Sequence, residues 1–257
     1  MPNNYQITII NNSDNPQTYL LFQTTPQINP SPGSNVFTNI YQASVEIPPG
    51  ADANFSITSQ WYGINGTSPA QALGNNVKVN TGQGAEVTLG STSAPGTTLT
   101  LTTYKSDGES PEWGPSAPAA ATSNGSFQIV TDDTFTPENS SEYYLRFVHL
   151  PPFSPQSHPL LNPLLTTIVS SGNIFIGLGA PSADNPQITS PTATFAAEPS
   201  MTYTIWPKNT WYICTGSFQA GTIIEVQSVG VTQEVDFENG RPDQTFTHNA
   251  NGTYSPS

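Results

Sequence analysis

Proline and glycine recur so often along this chain that a long helix has nowhere to form. There are 25 prolines and 20 glycines in 257 residues, and proline removes a backbone donor and breaks the helical ladder. Short strands joined by turns are what such a chain can build. Only residues 160–169 leave room for a short helix.

The strand signals agree. Tyr5-Gln-Ile-Thr-Ile-Ile10 alternates with the two-residue period of a half-buried strand and runs into the turn Asn11-Asn-Ser-Asp-Asn-Pro16. Tyr19-Leu-Leu-Phe22 follows, and a Pro-rich loop comes after it. Ser44-Val-Glu-Ile47, Ala53-Asn-Phe-Ser-Ile57, Val77-Lys-Val79, Ala85-Glu-Val-Thr-Leu89 and Thr98-Leu-Thr-Leu101 continue the series. Hydrophobic residues make up only 35% of the chain, but aromatics reach 10% and charged residues only 9%. Disorder needs high charge and few aromatics, so this composition predicts a folded all-β protein with many polar turns.

Self-similarity gives the organisation. Tyr19-Leu-Leu-Phe22 with Pro26 matches Tyr144-Leu-Arg-Phe147 with Pro151. Phe55-Ser-Ile57, Trp61-Tyr62 and Gly66-Thr67 match Tyr203-Thr-Ile205, Trp211-Tyr212 and Gly216-Ser217. Glu86-Val-Thr-Leu89 with Pro95 and Leu99 matches Glu234-Val-Asp-Phe237 with Pro242 and Phe246. Three matches in one order predict two diverged β-sandwich-like repeats, residues 1–109 and 126–257, joined by a Pro/Ala/Ser linker at 110–125. The second repeat carries an insertion near 152–194. The repeats are either tandem or fused into one pseudo-symmetric assembly.

Five basic residues (Lys78, Lys105, Arg146, Lys208, Arg241) stand against 18 acidic ones, for a net charge of −13. Nucleic acid is no partner for such a surface, since phosphate binding requires clustered Lys and Arg. Anionic membranes are excluded for the same reason, and no run approaches the ~18 apolar residues of a spanning helix. Met1-Pro-Asn-Asn-Tyr5 carries neither a basic nor an apolar leader stretch, which predicts a cytoplasmic protein, with secretion left open. The single Cys214 suits a reducing compartment. A homo-oligomer is compatible with all of this.

No motif for catalysis or metal binding stands out. His149, His158 and His248 lack the HxH or HExxH spacing of zinc sites, and Gly-x-Ser-x-Gly is absent. Cys214, inside Trp211-Tyr-Ile-Cys-Thr-Gly216, reads as a small apolar group in a buried strand. The carboxylates Asp132-Asp133 and Asp236, Glu238 and Asp243 read as solvated loops without EF-hand spacing. The glycines of Gly172-Asn-Ile-Phe-Ile-Gly-Leu-Gly179 lack the following helix that a phosphate loop needs.

The aromatic pairs are the best site candidates. Trp61-Tyr62 and Trp211-Tyr212 hold matching positions, with Trp206 nearby; on a strand one ring of each pair enters the core and the other faces out. An outward ring can stack on a sugar or line an apolar pocket. The plainer reading of both pairs is a core anchor. Lys208, between Trp206 and Trp211, would form an imine with a carbonyl ligand if it were desolvated; the plainer reading is an exposed turn lysine.

Tyr5-Gln-Ile-Thr-Ile-Ile-Asn-Asn-Ser13, Pro16-Gln-Thr-Tyr-Leu-Leu-Phe22 and Trp211-Tyr-Ile-Cys-Thr-Gly-Ser-Phe-Gln-Ala-Gly221 resemble a group of uncharacterised fungal β-proteins and, through them, the fruit-body chromoproteins of oyster mushrooms. The resemblance implies an abundant protein with a pigment in an apolar pocket. The expectation is a non-catalytic protein that binds a small, mostly apolar ligand beside Trp61, Tyr62, Trp206, Lys208, Trp211 and Tyr212. A lectin with one glycan site per repeat, and a storage or structural protein without a site, are the alternatives, and a hydrolase using Asp or Glu comes last.

Overall fold

A computed structural model describes residues 3–68, 73–115, 123–135, 173–183, 185–226 and 229–257. The fold is all-β. Among the described residues helical geometry is confined to 3₁₀ residues at Tyr104–Ser106 and Val226, and no helix is long and apolar enough to cross a membrane.

Among the described residues, three sheets hold the strands. One small sheet runs β18 (Tyr254–Pro256), β17 (Asp243–Asn249), β1 (Asn4–Asn12), β5 (Asp52–Thr58). A second runs β3 (Gln27–Asn29), β13 (Thr202–Trp206), β10 (Phe127–Thr131), β8 (Thr98–Thr103), β9 (Pro111–Trp113). The long sheet is ordered β16 (Gln233–Asp236), β14 (Thr210–Thr215), β2 (Tyr19–Gln23), β4 (Phe37–Ala43), β12 (Thr189–Ala196), β11 (Asn173–Pro181), β6 (Trp61–Ser68), β7 (Asn80–Val87). The two-residue β15 (Ile223–Ile224) pairs with β4 beside this path.

Alternation places the core. On β5, Ala53, Phe55 and Ile57 are buried while Asp52, Asn54 and Ser56 are exposed, the period of a sheet with one wet face. The first small sheet packs Ile7, Ile9, Phe55, Ile57 and Phe246 against Tyr19, Leu21, Trp211, Ile213 and Val235 of the long sheet. The second packs Leu101, Phe127, Ile129, Tyr203 and Ile205 against Trp61, Ile174, Ile176, Leu178 and Phe195. On β11, Ile174, Ile176 and Leu178 feed the second core and Ala180 the first. Residues two apart share a face, so both small sheets lie on one face of the long one. Its other face is covered by clusters around Leu20, Phe22, Cys214 and Val229, and around Ile64, Val77, Val79 and Phe175.

The same pattern of pairings occurs in both small sheets. β1 is antiparallel to β5 and parallel to β17, which is antiparallel to β18. β10 is antiparallel to β13 and parallel to β8, which is antiparallel to β9. In the long sheet Trp61 faces Val87 and Tyr62 faces Glu86, just as Trp211 faces Val235 and Tyr212 faces Glu234. A bulge interrupts β2–β4 after Leu21 and β11–β12 after Leu178. Each small sheet takes strands from both segments, 1–109 and 126–257, so these segments interlock in space.

Several local expectations change. Ser44–Ile47 is no strand: β4 ends at Ala43, Val45 is 79% exposed, and Ile47 makes one isolated bridge to Gln17. Pro48-Pro49 withhold the donors that would extend the ladder. Val77–Val79 is likewise reduced to a bridge between Lys78 and Thr222. The stretch expected as a linker opens with β9, and β11 lies wholly, and β12 largely, inside the stretch expected as an insertion. In these pairings β11 takes the place of β2, and Leu101, not Leu99, takes the place of Phe246. Tyr144–Phe147, Pro151, His149, His158 and residues 160–169 lie outside the described residues.

Candidate functional site

Strand alternation separates the two rings of each Trp-Tyr pair. Trp211 is fully buried in the first core, its Nε1 donating to Asn209 Oδ1 at 3.0 Å. Trp61 is buried in the second core. Neither indole lines a described cleft: both are core anchors. Trp206 is half-buried and donates from Nε1 to the Asn124 carbonyl at 3.2 Å. Lys208 is exposed, so the desolvation that an imine-forming lysine requires is missing; its carbonyl accepts from Gln23 Nε2.

The tyrosines behave otherwise. Tyr212 stacks on Phe22 at 5.6 Å between ring centroids, donates to Glu234 Oε2 at 3.1 Å, and lines a cleft of about 530 Å³. That cleft is walled by Thr24, Thr25, Phe37, Ile224 and Val226. Tyr62 lines a cleft of about 580 Å³ with Tyr5, Tyr41, Ile57, Pro181 and Pro186, and Gln6, Gln60 and Asp243 line it too. Burial and the charge of Glu86 push the Tyr62 hydroxyl up. Tyr41 donates to the Pro181 carbonyl, and burial pushes it up to about 12. Both phenols are neutral donors near neutral pH.

Comparison with family models, curated proteins and solved structures found no match.

Tyr5 and Tyr41 escape a reading of the sequence. Each sits in an ordinary strand, and no spacing ties residues 5, 41, 62 and 181 together; only the tertiary fold brings them to one cleft. The remaining candidates are structural. Asp236 accepts from Asn239 Nδ2 at 3.2 Å and from the Glu238 N–H at 2.8 Å, which hold its carboxyl low. Burial raises Asp132, but hydrogen bonds from Thr134 and Thr102 bring it below the usual value. No group of three His, Cys, Asp or Glu among the described residues could hold a metal. The Cys214 thiol is fully buried and pushed up to about 12 by burial, hence inert. Gly177 serves packing: a Cβ there would come within 2.0 Å of the Ala193 carbonyl oxygen.

His248 makes a titratable joint in the fold. Its ring is buried, its Nδ1 lies 3.0 Å from the Tyr19 hydroxyl, and Tyr254 stacks on it at 4.8 Å. Desolvation lowers its pKa. The unfolded chain therefore takes up this proton first as pH falls, and acid favours unfolding. Stability should decline once pH drops below about 6.5, the unfolded value, until the folded-state histidine titrates. His248→Gln should flatten that part of a denaturation-midpoint profile between pH 7 and 5; an unchanged slope would assign it to other groups.

Proposed function

We propose that this is a non-catalytic binding protein built from two diverged, interlocked copies of one β-sandwich-like unit. It holds a small, mostly apolar ligand in the cleft beside Tyr5, Tyr41 and Tyr62. The observation that carries this reading is the cleft's lining, which takes in three tyrosines, Ile57 and two prolines around about 580 Å³. Concave, largely apolar sites with a few polar groups at their margin are where small ligands are held. Gln6, Gln60 and Asp243 supply those polar groups. The recurrence of strand pairings, registers and bulge position supports the two copies.

A pigment is one ligand of this chemistry, its flat conjugated rings matching the phenols. A sugar is the second reading, favoured by the amides beside the rings, since carbohydrate binding combines ring stacking with amide hydrogen bonds. Titration with Nile red, an uncharged apolar dye, tests the first. The expected result is saturable fluorescence enhancement that Tyr62→Ala weakens by about tenfold while the melting curve stays cooperative. Enhancement that persists unchanged in Tyr62→Ala would remove the cleft as the site. Glycan-array binding that Tyr62→Ala abolishes, with no dye uptake, would replace the apolar ligand by a sugar.

A further inference from the structure

One edge of the fold is filled by the chain itself, and its counterpart carries no paired strand among the described residues. β3 docks antiparallel on the outer edge of β13, with Gln27 opposite Trp206, Ile28 opposite Ile205 and Asn29 opposite Thr204. In the recurring pairings β5 holds the place of β13: Tyr5 faces Ile57 and Ile7 faces Phe55, as Phe127 faces Ile205 and Ile129 faces Tyr203. Ser56, Ile57 and Thr58 therefore stand where Thr204, Ile205 and Trp206 stand. Among the described residues no strand pairs with this side of β5. The two corresponding connections differ in length. The connection from β2 to β4 spans residues 24–36 and reaches across to form β3, whereas that from β11 to β12 spans only 182–188.

We infer that the open edge of β5 binds an extended peptide as an added antiparallel strand. The site overlaps the Tyr5–Tyr41–Tyr62 cleft, and the inference rests only on the reading of that cleft as a ligand site. Three observations carry it. Ser56, Ile57 and Thr58 themselves line the cleft. The backbone groups of Ser56 and Thr58 point outward, because the Gln6 N–H goes to Pro242 on the far side of β1, which leaves Tyr5 and Ile7 to bond Ile57 and Phe55. The Ser56 carbonyl accepts from Gln42 Nε2 at 2.8 Å, a side-chain amide standing in for a strand's N–H.

β3 also specifies the occupant. Ile28 packs partly buried against the second core beside Ile205; a central apolar side chain opposite Ile57 enters the cleft toward Tyr41 in the same way. Flanking residues face outward and need only be uncharged or basic, since Asp243 lines the cleft and the chain carries −13. Added strands gain affinity from main-chain bonds and specificity from alternate side chains. The peptide is thus of the type polar–apolar–polar, without acidic residues.

The test uses the full chain and a capped synthetic peptide, Thr-Pro-Gln-Ile-Asn-Pro, which repeats residues 25–30. Saturating peptide should slow hydrogen exchange at the Ser56 and Thr58 amides by about tenfold and leave Ile57 unchanged. N-methylation at the peptide's asparagine, which removes the donor opposite Ser56 and keeps every side chain, should abolish the effect. Ser56→Pro deletes one outward donor at an edge position that tolerates proline, and should weaken the peptide by about tenfold with an unaltered melting temperature. Peptide binding that tolerates both changes overturns the inference, as do Ser56 and Thr58 amides already protected without peptide. Nile red uptake at Tyr62 without peptide binding defeats this inference alone. Peptide protection of Ser56 without dye uptake upholds it and defeats only the apolar small-molecule reading.

Discussion

A chain ending at Pro242 should lose its cooperative fold. The residues removed form β17 and β18, and β17 is parallel to β1 through seven register pairs from Gln6–Asp243 to Asn12–Asn249. Without them β1 becomes an open edge, and Phe246 and His248, both nearly inaccessible, leave the first core with Tyr254. Two large buried side chains contribute about 1.5–3 kcal/mol each, and the lost ladder leaves buried backbone groups of β1 without partners. Against a total stability of about 5–15 kcal/mol, the deficit is decisive. Thermal melting followed by tryptophan fluorescence should lose its sigmoidal transition. A truncated chain that still melts cooperatively within a few degrees of the parent would mean the parallel seam is dispensable.

Trp211→Ala should be the most damaging single substitution among the aromatic pairs, at about 3–5 kcal/mol. The indole is fully buried, tilts against Tyr41 at 5.1 Å, and satisfies its N–H on Asn209, whose own N–H donates to Glu238 at 3.0 Å. Removing it opens a cavity and orphans the asparagine carbonyl in one step. For a chain of this size the midpoint should fall by about 10 °C. Tyr212→Ala, one residue on but facing the other side of the sheet, loses only a stacking contact with Phe22 and a surface hydrogen bond, and should cost about 1 kcal/mol. Paired chemical-denaturation curves check both. Equal losses at the two positions would contradict the division of the pair between core and cleft.

Strand alternation made much of this legible beforehand. Tyr5–Ile10, Tyr19–Phe22, Ala53–Ile57 and Thr98–Leu101 lie within β1, β2, β5 and β8, because a two-residue hydrophobic period is a local property of the chain. The matched Trp-Tyr steps also proved to sit in matching registers. Period alone does not tell a strand from an apolar loop, however. Val45 and Ile47 alternate as well as any pair, yet the prolines that follow end the ladder. β4, hidden in a stretch of mixed polarity, is a strand because β2, β12 and β15 supply its partners.

The candidate site was legible only in part, since Tyr62 and Tyr212 face clefts whereas Trp61 and Trp211 do not. Which ring turns inward depends on which face of the strand meets a second sheet, and that is a matter of packing.

From its residues alone this polypeptide was bound to be an all-β, acidic protein with short strands and many turns, since proline, glycine and alternation act within a few residues of one another. Tertiary structure alone decided that β17 returns to lie along β1, that β8 crosses to β10, and that β3 docks on the outer edge of β13 while, among the described residues, no strand pairs with the outer side of β5. Those outcomes depend on contacts between residues as much as 237 positions apart, whose ordering entropy is offset only when the sheets close on one another and bury their shared faces.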